Sequence, residues 1–481
     1  MVVNLMWVAL VISLATGYFS NPGGGVKSPT QLLSAVQLKA ESSWMGIYVG
    51  GKKIGYISTE LEPSGDGGYV VNEYSLIAGT MLGVGQQMGI RMHQKTDSTL
   101  ALVSFDGLLD AGLYTSEFKG EVRDKVLTVQ VITAGEKQDR YIPAPEPIYL
   151  SQSIKPLLQT GRLNAGDSLK LSGFDPITLQ LQELYIIGDD LSSYTILGTT
   201  AQARKLVIRM SGFETVLYVD AKGDCIAEYG PMGMVSRRET MEVATNLKDA
   251  GSKVDFLALY AITPTGMISN EREVQSATYK INGIDSVQLC KASMRHNYNA
   301  GQLTVSVPDR SVIDSSNMYN YLKDAPFVES KHKDVRAKAE YVVRGSKTRL
   351  DSVKSLSGWV YRSVKKKPAG GIPSALAVLR GLEGDCNEHS VLLTALLRSV
   401  NIPARMVFGV VYQEGKFYYH AWVAAMIDGQ WLELDPTFGQ YRADASRIAL
   451  TSGDMSSVIE LTGLIGAIDV EIVNVTHNKG N

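Results

Sequence analysis

From about Trp44 to residue 250 the chain is built of short apolar segments with two-residue alternation. "MGIYVGGKKIGYIST", "GGYVVNEYSLIAG", "KVLTVQVITAG", "SYTILGTT", "ARKLVIRM" and "FETVLYVD" are separated by Gly, Asp and Asn. Side chains alternate faces along a strand, so this pattern suits a sheet with one buried face, and turn residues at this density favour antiparallel neighbours. A large antiparallel β-rich domain is therefore expected over 44–250, with one short helix at 151–163. The stretch "GVGQQMG" at 83–89 has neither the glycine spacing nor the strand-to-helix setting of a dinucleotide-binding turn.

After "YLKDAPFVESKHKDV" the period changes. Val353, Leu356, Val360 and Val364 follow helical spacing, and a second helix is expected from Ser374 to Leu382. A third opens at Cys386 and runs through Leu392, Leu393, Leu396 and Leu397 to Pro403. Beyond Arg405 the alternation returns in "RMVFGVVYQ", "KFYYHAWVAAMI" and "QWLELDP". Helices followed by antiparallel strands give an α+β class for residues 335–450. Residues 251–334 read as a connecting β-rich region, and 451–481 as a C-terminal tail.

The first 22 residues are nearly all apolar, and no charged side chain precedes Lys27. An export signal or membrane anchor is expected there, followed by a linker over 23–43, with the Gly-rich "NPGGG" of 21–25 at the junction. A net charge of -2 without a long basic run gives no reason to expect a nucleic-acid partner. The lysines at 365–367 read as a solvated helix end.

The tripeptide GDC occurs twice, and context separates the copies. Around Cys225 it closes a hairpin turn, and the cysteine starts a strand as a core-filling residue. In "GLEGDCNEHSVLLTALL" Cys386 starts a helix, with Asp385 as N-cap and Glu388 placed to complete a capping box. A first-turn cysteine feels the positive end of the helix dipole, which favours thiolate. No cysteine spacing suits a metal knuckle. Cys225 and Cys290 could pair in an oxidising compartment, which spacing alone leaves open.

A thiol nucleophile needs a base, and the base needs an orienting group. In "YYHAWVAAMIDGQWLELDPT", Asp428 and Gly429 read as a two-residue hairpin turn. Ile427 then faces Gln430 and Trp422 faces Asp435, so His420 and Asp435 share a face as diagonal neighbours about 7 Å apart. A three-residue loop would put them on opposite faces. Cys386, His389, His420 and Asp435 as zinc ligands is the weaker alternative, and His93, His296, His332 and His477 read as surface residues.

The stretch "GDCNEHSVLLTALLRSVNIPAR…YYHAWVAAMIDGQWLELDPT" resembles the transglutaminase-like superfamily of papain-like thiol enzymes. The resemblance implies Cys386 as nucleophile, His420 as general base and acid, Asp435 as the orienting residue, and His389 as a helix support. It also implies a further side chain upstream of the cysteine for the oxyanion, where Trp359 and Tyr361 lie, each equally suited to packing. No metal or organic cofactor is implied. The β-rich half, with "GGKKIGYIST", resembles domains that accompany this module in exported bacterial proteins. Expected partners are a protein or peptide substrate or a cell-envelope component, with membrane association through the leader. A thiol peptidase or amidase, and a non-catalytic peptide or cell-envelope binding module, are the alternatives.

Overall fold

A computed structural model describes residues 26–33, 37–81, 84–112, 114–159, 163, 165–210, 213–248, 254–307, 318–369, 373–457, 461 and 463–477. The leader over 1–22 lies outside the described residues. Among those described, no helix is long and apolar enough to cross a membrane.

The chain divides into two compact units at residue 255. In the first, strands between Glu41 and Pro143 form one antiparallel meander and strands between Ser168 and Arg238 form a second. They join where Met234–Arg238 pairs antiparallel with Glu41–Val49, giving a continuous sheet. Two-residue strands at Val26–Lys27 and Ile148–Tyr149 add parallel pairings to Ser168–Asp175. Alternation holds along the strands. Leu127, Val129, Val131 and Thr133 are buried while Val126 and Thr128 are not. The expected helix runs over Ser151–Leu158 and packs Leu157 and Leu158 into the apolar core with Leu169, Ile186 and Leu217. The segment read as a linker also contributes a short helix, Pro29–Leu33, with Leu32 and Leu33 buried.

In the second unit, four helices among the described residues of 332–400 precede a four-stranded antiparallel sheet. Helix α1 (Lys333–Val343) is capped by the His332 ring, which accepts from the Asp334 NH. Helix α2 (Arg349–Ser363) begins with a Thr348–Asp351 capping box and buries Val353, Leu356 and Val360, the residues whose spacing marked it as a helix. Helix α3 (Ala375–Gly381) starts at the Ser374 cap. Helix α4 (Cys386–Ser399) is buried around its whole circumference as far as Arg398. A helix enclosed on all sides acts as the central element of its domain. It packs against the other three helices and against the sheet.

Strands β1 (Ala404–Gln413), β2 (Lys416–Ile427), β3 (Gln430–Leu434) and β4 (Arg447–Gly453) lie in the order β3-β2-β1-β4. Ile427 pairs with Gln430 and Val423 with Leu434, the register of a two-residue turn. Asp428 (φ 51°) and Gly429 (φ 80°) both take the left-handed conformation that such a turn requires. A smaller antiparallel sheet centres on Val274–Asn282. Its outer strand Asp469–His477 comes from the segment read as a tail.

Gly409 of β1 faces His420 across the β1–β2 ladder. A Cβ there would come within 2.1 Å of the Ile448 carbonyl oxygen and 2.9 Å of the Trp422 ring. Gly409→Ala is therefore expected to lower stability by about 1–3 kcal/mol through overpacking. Urea denaturation measures it, and an unchanged midpoint would contradict this packing.

Candidate active site

The N-terminus of α4 packs on the middle of β2, which brings Cys386 against Ala421, the residue after His420. Asp385 accepts a hydrogen bond from the Asn387 NH at 2.9 Å, and its own NH donates to Glu388 at 2.8 Å, completing the capping box. Cys386 is buried with 8 % exposure, and its sulfur accepts a hydrogen bond from the NH of Ala421, the residue after His420.

His420 Nε2 lies 2.7 Å from Asp435 Oδ2. The carboxylate, held ionised, can only accept, so Nε2 carries the hydrogen and Nδ1 is left as the basic nitrogen. The ring stacks over Trp422 at 6.2 Å and lies tilted against Phe438 at 5.2 Å. Trp422 is itself held by a hydrogen bond from its indole NH to Glu433 at 2.8 Å. This β2 face therefore clamps the imidazole in one orientation.

Asp435 is fully buried. Its Oδ1 accepts from the Thr437 and Phe438 NH groups at 2.9 and 3.1 Å. Its Oδ2 accepts from His420 and from Arg447 Nε and Nη2 at 3.0 and 2.8 Å. Burial alone would raise this carboxyl, but its pairing with His420 and the charge of Arg447 outweigh it and hold Asp435 well below the usual carboxylate range. Arg447 also bonds Asp444 and Gln440, and Arg272 reaches Asp444 at 3.3 Å. Asp444 is held at about 2: burial opposes the shift, and Arg447, Ser446, Gln440 and Arg272 overcome it.

This anchor was not among the residues singled out in the sequence. Its one visible signal is Arg447, a charged side chain opening the otherwise apolar "RIAL" strand and only 1 % exposed. Arg272, Gln440 and Asp444 gave none: Gln440 and Asp444 lie on the irregular β3–β4 connection, and Arg272 is 172 residues before Asp444.

Three readings change. The helix start was expected to favour a thiolate at Cys386. Instead burial, and after it the Asp385 carboxylate, push the thiol well above its ordinary value, because desolvation outweighs the dipole. His296 is half-buried rather than free on the surface. Its Nδ1 lies 2.8 Å from the Leu289 carbonyl oxygen, its Nε2 accepts from the Ala449 NH, and burial lowers its pKa to about 4. His332 is a helix cap, and His93 bonds Asn72 at 2.6 Å.

His389 is fully buried in the first turn of α4, and its Nδ1–H donates to the Asp385 carbonyl at 2.6 Å. Among the described residues no group of three or more His, Cys, Asp or Glu side chains is arranged to hold a metal ion. All three cysteines are thiols, and burial raises Cys225 to about 12. Trp359 lies under Lys338, while Tyr361 is exposed and packs against Gly439.

Residues 336–436 match the core of the transglutaminase-like superfamily, by that description. No curated protein matches the chain. Among solved structures, a candidate cysteine protease from Cytophaga hutchinsonii is 14% identical, covering 44% of this chain and 88% of its own, with a TM-score of 0.29. A β-barrel-like protein from Brucella abortus, a domain of unknown function, is 9% identical over 42% of this chain and 97% of its own, with a TM-score of 0.33. A candidate protease from Parabacteroides distasonis is 10% identical over 76% of this chain and 70% of its own, with a TM-score of 0.21.

Two measurements probe the site. Raising a thiol pKa confines thiolate to alkaline solution, so iodoacetamide should modify Cys386 slowly at neutral pH, with the rate rising only above the free-thiol range near pH 8.5. The background is Cys225→Ser, Cys290→Ser. A reactive component titrating below neutrality and abolished by His420→Ala would show a preformed ion pair instead.

The second concerns Arg447→Met, which leaves Asp435 buried without its cation and Asp444 with Arg272 alone, and should cost about 3–5 kcal/mol at pH 7. Depressed carboxyls stabilise the fold above their unfolded values near 4 and lose that contribution as pH falls through their folded values. The difference between Arg447→Met and the native chain should thus shrink from pH 4 towards pH 2. Denaturant titrations at pH 7 and pH 3 measure it, and a penalty independent of pH would contradict the charge account.

Proposed function

We propose that this chain is a transglutaminase-like thiol enzyme acting on peptide or isopeptide carbonyls, with Cys386 as nucleophile, His420 as base and then acid, and Asp435 as its orienting partner. The observation that carries the reading is the buried His420–Asp435 hydrogen bond on the strand that also supplies the Ala421 NH to the Cys386 sulfur. The superfamily match over 336–436 supports a cysteine enzyme and spans Cys386, His420 and Asp435.

In this reading the papain-like arrangement of α4 against β2 sets the chemistry. Because the resting group is a thiol, its proton passes to His420 Nδ1 as sulfur bonds to the carbonyl carbon. The negative charge on the carbonyl oxygen is met by the Cys386 backbone NH at the start of α4. Collapse breaks the carbon–nitrogen bond, and the departing amine takes the proton back from His420, leaving a thioester. An amine or water then attacks the thioester with His420 again as base, and the thiol is restored. The same steps serve transfer and hydrolysis, which differ only in the acceptor. The apolar first 22 residues support a location outside the cytoplasm.

Single-turnover reaction with a glutamine-containing peptide, with and without a primary amine, tests this. Cys386→Ala should abolish a hydroxylamine-trappable acyl-enzyme, and His420→Ala should slow its formation by about 10²–10⁴. Incorporation of the amine identifies transfer, and acid release alone identifies hydrolysis. Acyl-enzyme formation that survives Cys386→Ala would sink the reading.

A further inference from the structure

The chain as a whole is nearly neutral, with 47 Lys and Arg against 49 Asp and Glu. Residues 331–367, which hold α1 and α2, carry 12 Lys and Arg against three carboxylates. Those three are engaged. Asp334 meets Arg380 at 3.5 Å, Glu340 meets Arg336 at 2.8 Å, and Asp351 closes the α2 capping box. Outside the segment Glu383 pairs with Lys367 at 2.9 Å, and most of the remaining positive charge is local to this stretch, unlike the mixed charges expected of an ordinary soluble surface.

Its position matters more than its size. Lys354, Tyr361 and Arg362 lie on one face of α2, seven and eight residues apart from the first. That face borders the loop leaving Asp435. Tyr361 packs against Gly439, Lys354 sits 4.8 Å over the Tyr441 ring, and Lys366 sits 4.9 Å over Tyr361. All three cations are exposed and make no salt bridge among the described residues. Tyr361 and Tyr441 are themselves 41% and 51% exposed. Cations fixed on aromatic rings lose less freedom when they bind an anion than cations on free stems.

We propose that this α2 face, with Lys354 and Arg362, together with Lys366 just beyond the helix, around Tyr361 and Tyr441, binds an acidic stretch of the polypeptide substrate beside the reacting carbonyl. The inference deepens the thiol acyl-transfer reading and rests on it for the word substrate. Acidic peptide is chosen over other polyanions because the face continues into the loop of a site built for amide carbonyls. Tyrosine rings also offer apolar contact to the aliphatic stems of glutamate.

Binding to the full chain carrying Cys386→Ala separates this from catalysis. A fluorescent oligoglutamate peptide should bind, an oligolysine peptide should not, and raising salt should weaken the complex. Lys354→Glu, Arg362→Glu and Lys366→Glu together should weaken it about tenfold or more. The same reversals at Lys95, Lys119 and Lys137 should leave it unchanged, and glutamine at 354, 362 and 366 should give an intermediate loss. Equal binding of oligolysine, indifference to the reversals at 354, 362 and 366, or preference for phosphatidylglycerol vesicles or a single-stranded oligonucleotide would each overturn the proposal. Oligoglutamate binding without turnover by the native chain removes the thiol reading and keeps the acidic-peptide surface. Turnover indifferent to acidic flanks removes the surface alone.

Discussion

The second unit depends on keeping one carboxylate ionised where no water reaches it. Asp435 has no exposed surface, and an unpaired charge there would cost several kcal/mol or take up a proton. Two backbone NH groups, His420 and the Arg447 fork fill its accepting positions. The consequence reaches the imidazole. With Asp435 ionised, the hydrogen of His420 stays on Nε2, and Nδ1 remains basic. Arg447 bonds Asp435, Asp444 and Gln440, and through Asp435 it secures the protonation pattern on which the chemistry would run.

The same burial acts in the opposite sense on the nucleophile. Cys386 sits at a helix start that by itself would stabilise a thiolate, but it is enclosed and lies next to Asp385. Desolvation is a first-order cost of creating the anion, whereas a helix terminus contributes typically 0.3–1 kcal/mol. The larger effect wins, and the resting thiol keeps its proton. Glu388 follows the same rule: burial and the Asp385 charge raise its carboxyl while it caps the helix.

Much of this was legible in residue order. Alternation over 44–250 marked the antiparallel sheet, although the joining of its two meanders through Met234–Arg238 and Glu41–Val49 was not visible in the alternation. The spacing of Val353, Leu356 and Val360 marked α2, and Asp385 with Glu388 marked the start of α4. Asp428 and Gly429 set the β2–β3 register, which put His420 and Asp435 on one face. The role of His296 was misread because a lone histidine carries no local sign of the Leu289 and Ala449 groups that enclose it.

Sequence by itself determined the local elements here: where strands alternate, where helices begin, and which turn closes the hairpin. Each of these depends on neighbours within a few positions, through propensity, capping and backbone dihedrals. Tertiary structure alone decided the charge state of the site. Arg272 is distant in the chain from Asp435, Asp444 and Arg447, and the pairing of all four depends on burial that only the assembled fold creates. A dipole can be read from a helix start, whereas desolvation belongs to everything packed around it.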